Sequence, residues 1–213
     1  MPFQDYIDHT LLKATATETA IKKLCAEAVT YQFYAVCVNS CYASIAKNEL
    51  HNSKVKLAVV IGFPLGAVAT EIKVSEATYC MEMGADEVDM VINVGWLKDG
   101  LYTKIVEEIK SVKKAVGNGV LKVIIETCYL TPEEIITASK LVMDGGADFV
   151  KTSTGFGTSG ATLEDVKIMK ETVGDTIKIK ASGGIKDKET ALKYIEMGVS
   201  RIGTSSGVAM MNS

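Results

Sequence analysis

The sequence is poor in the residues that mark metal sites, disulfide frameworks and membrane spans. Only two histidines occur, His9 and His51, and neither has a cysteine or carboxylate at the spacing of a ligand set, so no metal site is predicted. The five cysteines are odd in number and form no CxxC pair, which favours free thiols in a reducing cytosol and predicts a cytoplasmic protein. The longest apolar run, LAVVIGF at 57–63, is about a third of the length that a bilayer span needs.

An excess of charge of either sign is also missing. A net charge of -3 over 213 residues gives no electrostatic reason to expect nucleic acid or an anionic membrane surface as a partner. The first ten residues, MPFQDYIDHT, have neither the basic nor the apolar region of a secretory signal. With 47% apolar residues and no linker or low-complexity stretch, residues 1–213 are expected to form a single domain.

What the sequence does contain is a regular series of short apolar, β-branched segments separated by amphipathic ones. Seven of these segments are clear strand candidates, and YIDHTL near the N-terminus is a shorter eighth. The candidates are YIDHTL (6–11), YAVCVN (34–39), VKLAVVIG (55–62), EVDMVIN (87–93), LKVIIET (121–127), DFVKTST (148–154), TIKIKAS (176–182) and SRIGTSS (200–206).

Helix start signals lie between these segments. Thr17, Thr131, Thr162 and Asp187 each stand where a capping side chain is expected, and Pro132 follows Thr131 in the first turn. Because strands and helices alternate, the sheet should be parallel with right-handed crossovers. Eight strands would close a (β/α)8 TIM barrel, whereas seven would leave an open sheet.

A weak internal repeat supports closure of the barrel. The segments MGADEVDMV (83–91), GGADFVKTS (145–153) and MGVSRIGTS (197–205) share a helix-ending glycine, a short turn and a strand. Five residues after that glycine stand Asp89, Lys151 and Gly203 in turn. Since side chains alternate along a strand, these three positions share a register, and Asp89 and Lys151 are expected to point to the same side of the barrel at a similar height.

Charges inside the predicted strands are the informative exceptions, because strands of a covered parallel sheet should read as continuous apolar runs. Asp89, Lys151 and Lys180 interrupt three of them and are expected to converge at the barrel mouth, where catalytic residues of such barrels lie. A buried ion pair between Asp89 and Lys151 is the structural alternative, but it would leave Lys180 unpaired. Lys178 is expected to reach solvent at the opposite end, and Glu126 fits either a paired carboxylate or a site residue.

Two lysines beside one aspartate suggest amine catalysis. A free lysine has a pKa of about 10.4 and is therefore a charged, non-nucleophilic ammonium at neutral pH. Partial desolvation and a second ammonium both disfavour the charged form, which is how lysines are tuned to form Schiff bases. Asp89 could then transfer protons. Local sequence does not decide whether Lys151 or Lys180 is the nucleophile.

Glycine- and hydroxyl-rich loops follow the last three predicted strands. They are STGFGTSG (153–160), ASGGI (181–185) and TSSG (204–207). If YIDHTL is the first strand, two of these loops follow strands 7 and 8, which is the frequent phosphate site of TIM barrels. Gly183 and Gly184 are expected to let backbone N–H groups approach an anion near the start of the next helix. A phosphomonoester held mainly by N–H and hydroxyl donors is therefore predicted.

Together these stretches resemble the deoxyribose-phosphate aldolase family. The resemblance rests on eight ordered motifs: IDHTLLKATAT (7–17), YAVCVN, GFPLGA (62–67), GADEVDMVIN (84–93), KVIIET (122–127), GADFVKTSTGF (146–156), IKASGGI (179–185) and RIGTSSG (201–207). It implies a class I aldolase without metal or cofactor on a (β/α)8 barrel. Such an enzyme cleaves 2-deoxy-D-ribose 5-phosphate reversibly to acetaldehyde and D-glyceraldehyde 3-phosphate, and the family often forms dimers or larger homo-oligomers.

The resemblance also implies roles for single residues. Lys151 resembles the Schiff-base lysine, Lys180 the second lysine that lowers its pKa, and Asp89 the proton-relay carboxylate. The residues that match the phosphate cradle are Gly155, Gly183, Gly184, Ser205 and Ser206, and those that match positions near the substrate are Asp8, Thr10, Cys37 and Thr154.

The chain departs from the family pattern at two places. Phe156 stands where some members have a lysine after KTSTG, and the C-terminus, VAMMNS, lacks the tyrosine with which some members end. Two other functions stay open at this point. One is another Schiff-base barrel acting on a keto acid or a ketose phosphate. The other is a phosphate-binding barrel without catalytic activity.

Overall fold

In the computed structural model, which describes residues 1–213, eight strands alternate with nine helices. The strands are β1 Ile7–Leu11, β2 Ala35–Asn39, β3 Lys56–Ile61, β4 Glu87–Val91, β5 Val120–Ile124, β6 Phe149–Lys151, β7 Lys178–Ser182 and β8 Arg201–Thr204. The helices are α1 Glu18–Tyr31, α2 Ala43–Glu49, α3 Thr70–Glu82, α4 Val94–Lys98, α5 Tyr102–Val116, α6 Pro132–Asp144, α7 Leu163–Val173, α8 Lys188–Glu196 and α9 Gly207–Met211.

The sheet closes through its first strand. All neighbouring strands are parallel, and β1 pairs with both β2 and β8, with Asp8 opposite Gly203 across the closure. YIDHTL therefore contributes the eighth strand, and the prediction of a (β/α)8 TIM barrel is confirmed. The open-sheet alternative is excluded.

The predicted capping residues lie at the helix starts. Thr17, Thr162 and Asp187 each accept a hydrogen bond from a backbone N–H of the first turn of α1, α7 and α8. Thr131 and Glu134 cap α6 reciprocally, with Pro132 in the first turn. These caps fix where each helix begins and therefore the length of the loop that leads to it from the preceding strand.

β6 is shorter than the predicted segment at 148–154. It ends at Lys151, and Thr152, Ser153 and Thr154 belong to the loop at the barrel mouth. Lys151 is therefore the last strand residue before the site loops, so its side chain emerges at the mouth.

The core has two unequal parts. A cluster of 45 buried apolar residues fills the space between the barrel and the helices. Inside the barrel the apolar cluster is small and comprises Leu12, Cys37, Ala58 and Val60. The remaining interior is occupied by charged side chains, which departs from the branched aliphatic filling usual for such barrels.

Candidate active site

Lys151 and Lys180 lie side by side in the barrel interior. They are direct partners in the register of β6 and β7, and both side chains are buried. Asp89, in the middle of β4, is buried with them. The expectation that Asp89 and Lys151 point to the same side is confirmed, because the two side chains are in contact.

The two oxygens of the Asp89 carboxylate serve different partners. Oδ2 accepts from Nζ of Lys151 at 2.8 Å and from Nζ of Lys180 at 2.8 Å. Oδ1 accepts from Nζ of Lys122, on β5, at 2.7 Å. Lys122 therefore holds the carboxylate from behind, while Oδ2 faces the two lysines nearer the mouth.

These contacts belong to a closed ring of ion pairs. Lys180 binds Oδ2 of Asp8 at 2.5 Å, and Oδ1 of Asp8 binds Arg201 at 2.6 Å. Arg201 binds Oε1 of Glu87 at 2.6 Å, and Oε2 of Glu87 lies 2.5 Å from Lys122, which returns to Asp89. We refer to this set as the charge ring: Asp8, Glu87, Asp89, Lys122, Lys180 and Arg201.

Lys151 stands outside the charge ring. Every cation of the ring touches two carboxylates, whereas Lys151 touches only Oδ2 of Asp89 and shares it with Lys180. The argument that an Asp89–Lys151 pair would leave Lys180 unpaired is therefore wrong. Lys180 is the better paired of the two, because Asp8 gives it a second carboxylate, and Lys151 is the surplus amine.

The pKa values of the lysines follow this pairing. Burial lowers the pKa of Lys151, Lys180 lowers it further, and Asp89 only partly opposes them. Burial also disfavours the charged form of Lys180, but Asp8 and Asp89 outweigh it and raise the pKa of Lys180. The pKa of Asp89 is held well below its usual range, because Lys122, Lys151 and Lys180 together outweigh the effect of burial. Lys151 is thus the amine that can lose its proton.

A cavity of about 380 Å³ opens above Lys151 at the C-terminal ends of the strands. The residues predicted for the site that line it are Lys151, Thr10, Thr154, Gly155, Gly183, Gly184, Ser205 and Ser206. Two lysines that sequence reasoning missed, Lys13 and Lys186, also line it and are exposed. The lining of the cavity therefore combines an amine with glycine, hydroxyl and cationic groups.

The remaining predicted residues lie below or beside this cavity. Asp8 is fully buried in the charge ring, and Cys37 is buried in the small apolar cluster inside the barrel, so neither lines the cavity. Burial raises the pKa of the Cys37 thiol, which keeps it protonated. Lys178 is exposed at the start of β7, as predicted, with Nζ 5.7 Å from the ring centroid of Phe149.

Glu126 is a paired carboxylate beneath the mouth. It is buried, and it accepts hydrogen bonds from the backbone N–H of Thr154, at 3.1 Å, and from the hydroxyl of Thr154. The same hydroxyl accepts from the N–H of Phe156 at 3.0 Å. Glu126 thereby fixes the loop that carries Gly155.

The loop after β7 depends on close backbone contact. A Cβ at Gly183, whose φ is +84°, would lie 2.9 Å from Cα of Gly160, so only glycine fits there. The helix start lies where it was expected, shortly after Gly183 and Gly184. α8 begins at Lys188, and Asp187 caps it by accepting from the N–H of Thr190 at 2.8 Å. Gly183 and Gly184 precede this cap and line the cavity.

A closed parallel barrel with titratable side chains gathered under the C-terminal mouth defines a class of protein, the (β/α)8-barrel enzymes. The model of the DeoC/LacD family of aldolases matches residues 5–211. The chain belongs to this family, and it is therefore a carbon–carbon lyase.

Individual relatives of the chain are aldolases as well. The deoxyribose-phosphate aldolase of Carboxydothermus hydrogenoformans is 56% identical over 209 residues, which cover 96% of this chain and 92% of that protein. The protein of the same name from Finegoldia magna is 54% identical over 211 residues, 99% of each chain. The tetrameric deoxyribose phosphate aldolase structure from Aeropyrum pernix superimposes with a TM-score of 0.89 at 33% identity, over 98% of this chain and 88% of that one.

Two further properties of the structure bear on the type of protein. None of its helices combines the length and the apolar character that crossing a bilayer requires. No three His, Cys, Asp or Glu side chains gather where they could hold a metal ion.

Proposed function

We propose that the protein cleaves 2-deoxy-D-ribose 5-phosphate reversibly to acetaldehyde and D-glyceraldehyde 3-phosphate, through a Schiff base on Lys151. The observation that carries the proposal is the position of Lys151 as the surplus amine beside the balanced charge ring. A buried amine without a carboxylate of its own is the nucleophile that imine formation requires. The imine itself serves as the electron sink, so the chemistry needs no cofactor.

In the proposed reaction the neutral amine of Lys151 attacks C1 of the open-chain sugar, and the carbinolamine takes up a proton and loses water to give the protonated imine. Removal of the proton of the C3 hydroxyl then breaks the bond between C2 and C3, and the electron pair moves into the imine to form an enamine. Glyceraldehyde 3-phosphate leaves. Protonation of the enamine at C2 and hydrolysis release acetaldehyde and restore Lys151.

Asp89 is proposed as the proton-transfer group in these steps. Its Oδ2 lies 2.8 Å from Nζ of Lys151, where protons must be gained and lost during carbinolamine formation and collapse. Lys180 shares this oxygen at 2.8 Å and has the role of keeping Lys151 deprotonated. Its own raised pKa makes Lys180 a permanent positive charge.

The phosphate is proposed to bind at the far end of the cavity. Gly155, Gly183 and Gly184 offer backbone N–H groups there, and Ser205 and Ser206 offer hydroxyls. Thr10 and Thr154 line the same cavity and are proposed to contact the sugar. Anchoring the phosphate places C1 near the amine, which converts the attack into an intramolecular reaction.

Phe156 alters the edge of the phosphate end. Its side chain is 52% exposed and packs edge-on against Phe63, with ring centroids 5.4 Å apart, so it provides no cation. Lys13 and Lys186 line the same cavity and supply positive charge instead. We include them among the groups that hold the phosphate.

The setting of the enzyme belongs to the same proposal. We infer a single domain over residues 1–213, action in the cytoplasm on sugar phosphates and aldehydes, and assembly as a homodimer or larger homo-oligomer. The tetrameric relative from Aeropyrum pernix supports assembly of several copies. The free cysteines support a reducing compartment.

Borohydride trapping tests the proposed function. The protein is incubated with acetaldehyde or deoxyribose 5-phosphate, reduced with borohydride and digested, and the modified lysine is identified by mass spectrometry. We expect a two-carbon adduct on Lys151 and none after Lys151→Met, with Lys178→Met as the matched control that still reacts. An adduct on another lysine would contradict the assignment. Tight phosphate binding without any adduct would favour a non-catalytic phosphate-binding barrel.

A further inference from the structure

We propose that Lys122, Glu87 and Arg201 are positioning residues. They keep the charge ring at zero net charge, so that no surplus negative charge stabilises the protonated form of Lys151. The inference rests on the proposed function, in which Lys151 acts as a neutral amine. None of the three lines the cavity, so they act through Asp89, Asp8 and Lys180.

The geometry shows that the ring is complete. Each of its three carboxylates uses both oxygens and bridges two neighbouring cations. Asp8 bridges Lys180 and Arg201, Glu87 bridges Arg201 and Lys122, and Asp89 bridges Lys122 and Lys180. Three acids and three bases alternate, which leaves no charge in the ring uncompensated.

The balance matters because the ring is inside the barrel. Lys122, Lys180, Asp8 and Asp89 are fully buried, and an uncompensated charge in such a place is costly. A proton on Lys151 would give the interior one positive charge in excess. Asp89 is the one carboxylate in contact with Lys151, and Lys180 shares the same oxygen, so no second carboxylate offsets that charge.

Lys122 also orients the carboxylate of Asp89. By binding Oδ1 of Asp89 at 2.7 Å it fixes the carboxylate plane and leaves Oδ2 for Lys180 and Lys151. Without Lys122, Asp89 would be free to offer both oxygens to the two upper lysines. The protonated form of Lys151 would then gain a carboxylate of its own.

The net charge of the ring predicts shifts of opposite sign in the pKa of Lys151 for two substitutions. Lys122→Met leaves the ring with one negative charge, which a proton on Lys151 would neutralise, so the pKa of Lys151 should rise. Glu87→Gln leaves the ring with one positive charge, so a proton on Lys151 should become still less favourable. The double variant removes one acid and one base and should return the pKa of Lys151 toward that of the parent.

The experiment is the pH profile of kcat/KM for deoxyribose 5-phosphate, with the yield of borohydride trapping on Lys151 followed over the same pH range. When kcat/KM is expressed as a fraction of each protein's plateau value, Lys122→Met should be about tenfold lower than the parent at the acidic limb of the profile. Glu87→Gln should keep more of its plateau activity there than the parent, and the double variant should resemble the parent. Lys178→Met, which removes an exposed lysine from β7, should leave the profile unchanged.

Folding is checked by circular dichroism and thermal unfolding. If Lys122→Met does not fold, Arg201→Met removes the same charge from the side of the ring that does not touch Asp89, and the same loss at the acidic limb is expected. A merely structural ring would lower stability in every variant without moving the limb in opposite directions, and that result would overturn the inference. Failure of the parent to be trapped on Lys151 would overturn the proposed function and the inference together. Trapping on Lys151 with unmoved limbs would overturn the inference alone.

Discussion

Lys151 and Lys180 donate to the same oxygen of Asp89 at the same distance of 2.8 Å, yet their pKa values shift in opposite directions. The difference lies in Asp8, whose carboxylate binds Lys180 at 2.5 Å and has no contact with Lys151. One carboxylate therefore separates a lysine that stays charged from a lysine that can act as a nucleophile. The residue types alone left that choice open.

Removing Lys180 should damage both the fold and the chemistry. Lys180→Leu leaves Asp8 and Asp89 short of a buried cation, and breaking a buried ion pair costs about 3–5 kcal/mol of unfolding free energy. Lys151 should then take up the proton that offsets the surplus negative charge. Urea unfolding measures the first effect, and the pH profile of kcat/KM measures the second as a raised apparent pKa. A variant as stable as the parent with an unmoved profile would contradict both.

The surplus amine should make stability depend on pH. The pKa of Lys151 is lowered in the folded state, so between that pKa and about 10.4 the unfolded chain binds more protons than the folded one. The free energy of unfolding should therefore gain a contribution that rises with pH across this window. Lys151→Met should remove that slope and unfold at a higher urea concentration than the parent at pH 7. An unchanged slope would show that Lys151 is protonated in the folded protein.

Glu126 should affect the phosphate end rather than the amine. Its carboxylate holds the N–H and the hydroxyl of Thr154, the residue before Gly155, so Glu126→Ala should loosen that loop. We expect KM for deoxyribose 5-phosphate to rise about tenfold, the scale of one lost charged hydrogen bond, with kcat nearly unchanged. The matched control is 2-deoxyribose, which lacks the phosphate and should be cleaved by variant and parent at equal rates. Equal losses of activity on both sugars would indicate that Glu126 takes part in the chemical steps instead.

The rim lysines should act through long-range attraction. Lys13 and Lys186 are exposed and line the cavity, so Lys13→Gln and Lys186→Gln should each lower kcat/KM about threefold at low ionic strength. The difference from the parent should shrink in about 0.5 M salt, because the Debye length becomes short. Lys54→Gln, at the opposite end of the barrel before β3, serves as the control. A loss that does not depend on salt would indicate a different role.

Much of this arrangement could be predicted from residue patterns. The alternation of strands and helices, the capping residues and the charges of Asp89, Lys151 and Lys180 inside apolar strands led to the closed barrel and its mouth. These features are local: each depends on a strand or helix and its immediate flanks. Only the assignment of YIDHTL as the eighth strand stayed undecided, because this segment is short and its pairing with β8 joins the two ends of the chain.

The charge ring could not be predicted in the same way. Glu87, Lys122 and Arg201 each occupy an inward position of a strand. The sequence shows two charges alternating with apolar residues in EVDMV and one lysine in LKVII. Their partners, however, come from strands far apart in sequence, as with Arg201 and Glu87. Which charges meet depends on the tilt and register of the closed barrel. The sequence could show that charges are buried, but it could not show that they balance.

The rim lysines were missed for a simpler reason. Lys13 and Lys186 lie in loops, where an exposed lysine is ordinary and carries no signal. Asp8 was expected near the substrate because of its motif, and the structure places it beneath the cavity within the charge ring. Its contact with Lys180 gives it an electrostatic role that no motif position describes.

The most direct test is to titrate Lys151 itself. Lysine labelled with ¹³C at Cε gives one NMR signal for each side chain, and the signal missing from Lys151→Met identifies Lys151. We predict that this signal titrates at a pH below the usual lysine value of about 10.4, while the signal of Lys180 remains that of an ammonium throughout. A Lys151 signal that titrates at or above the usual value, or a Lys180 that loses its proton first, would contradict the account.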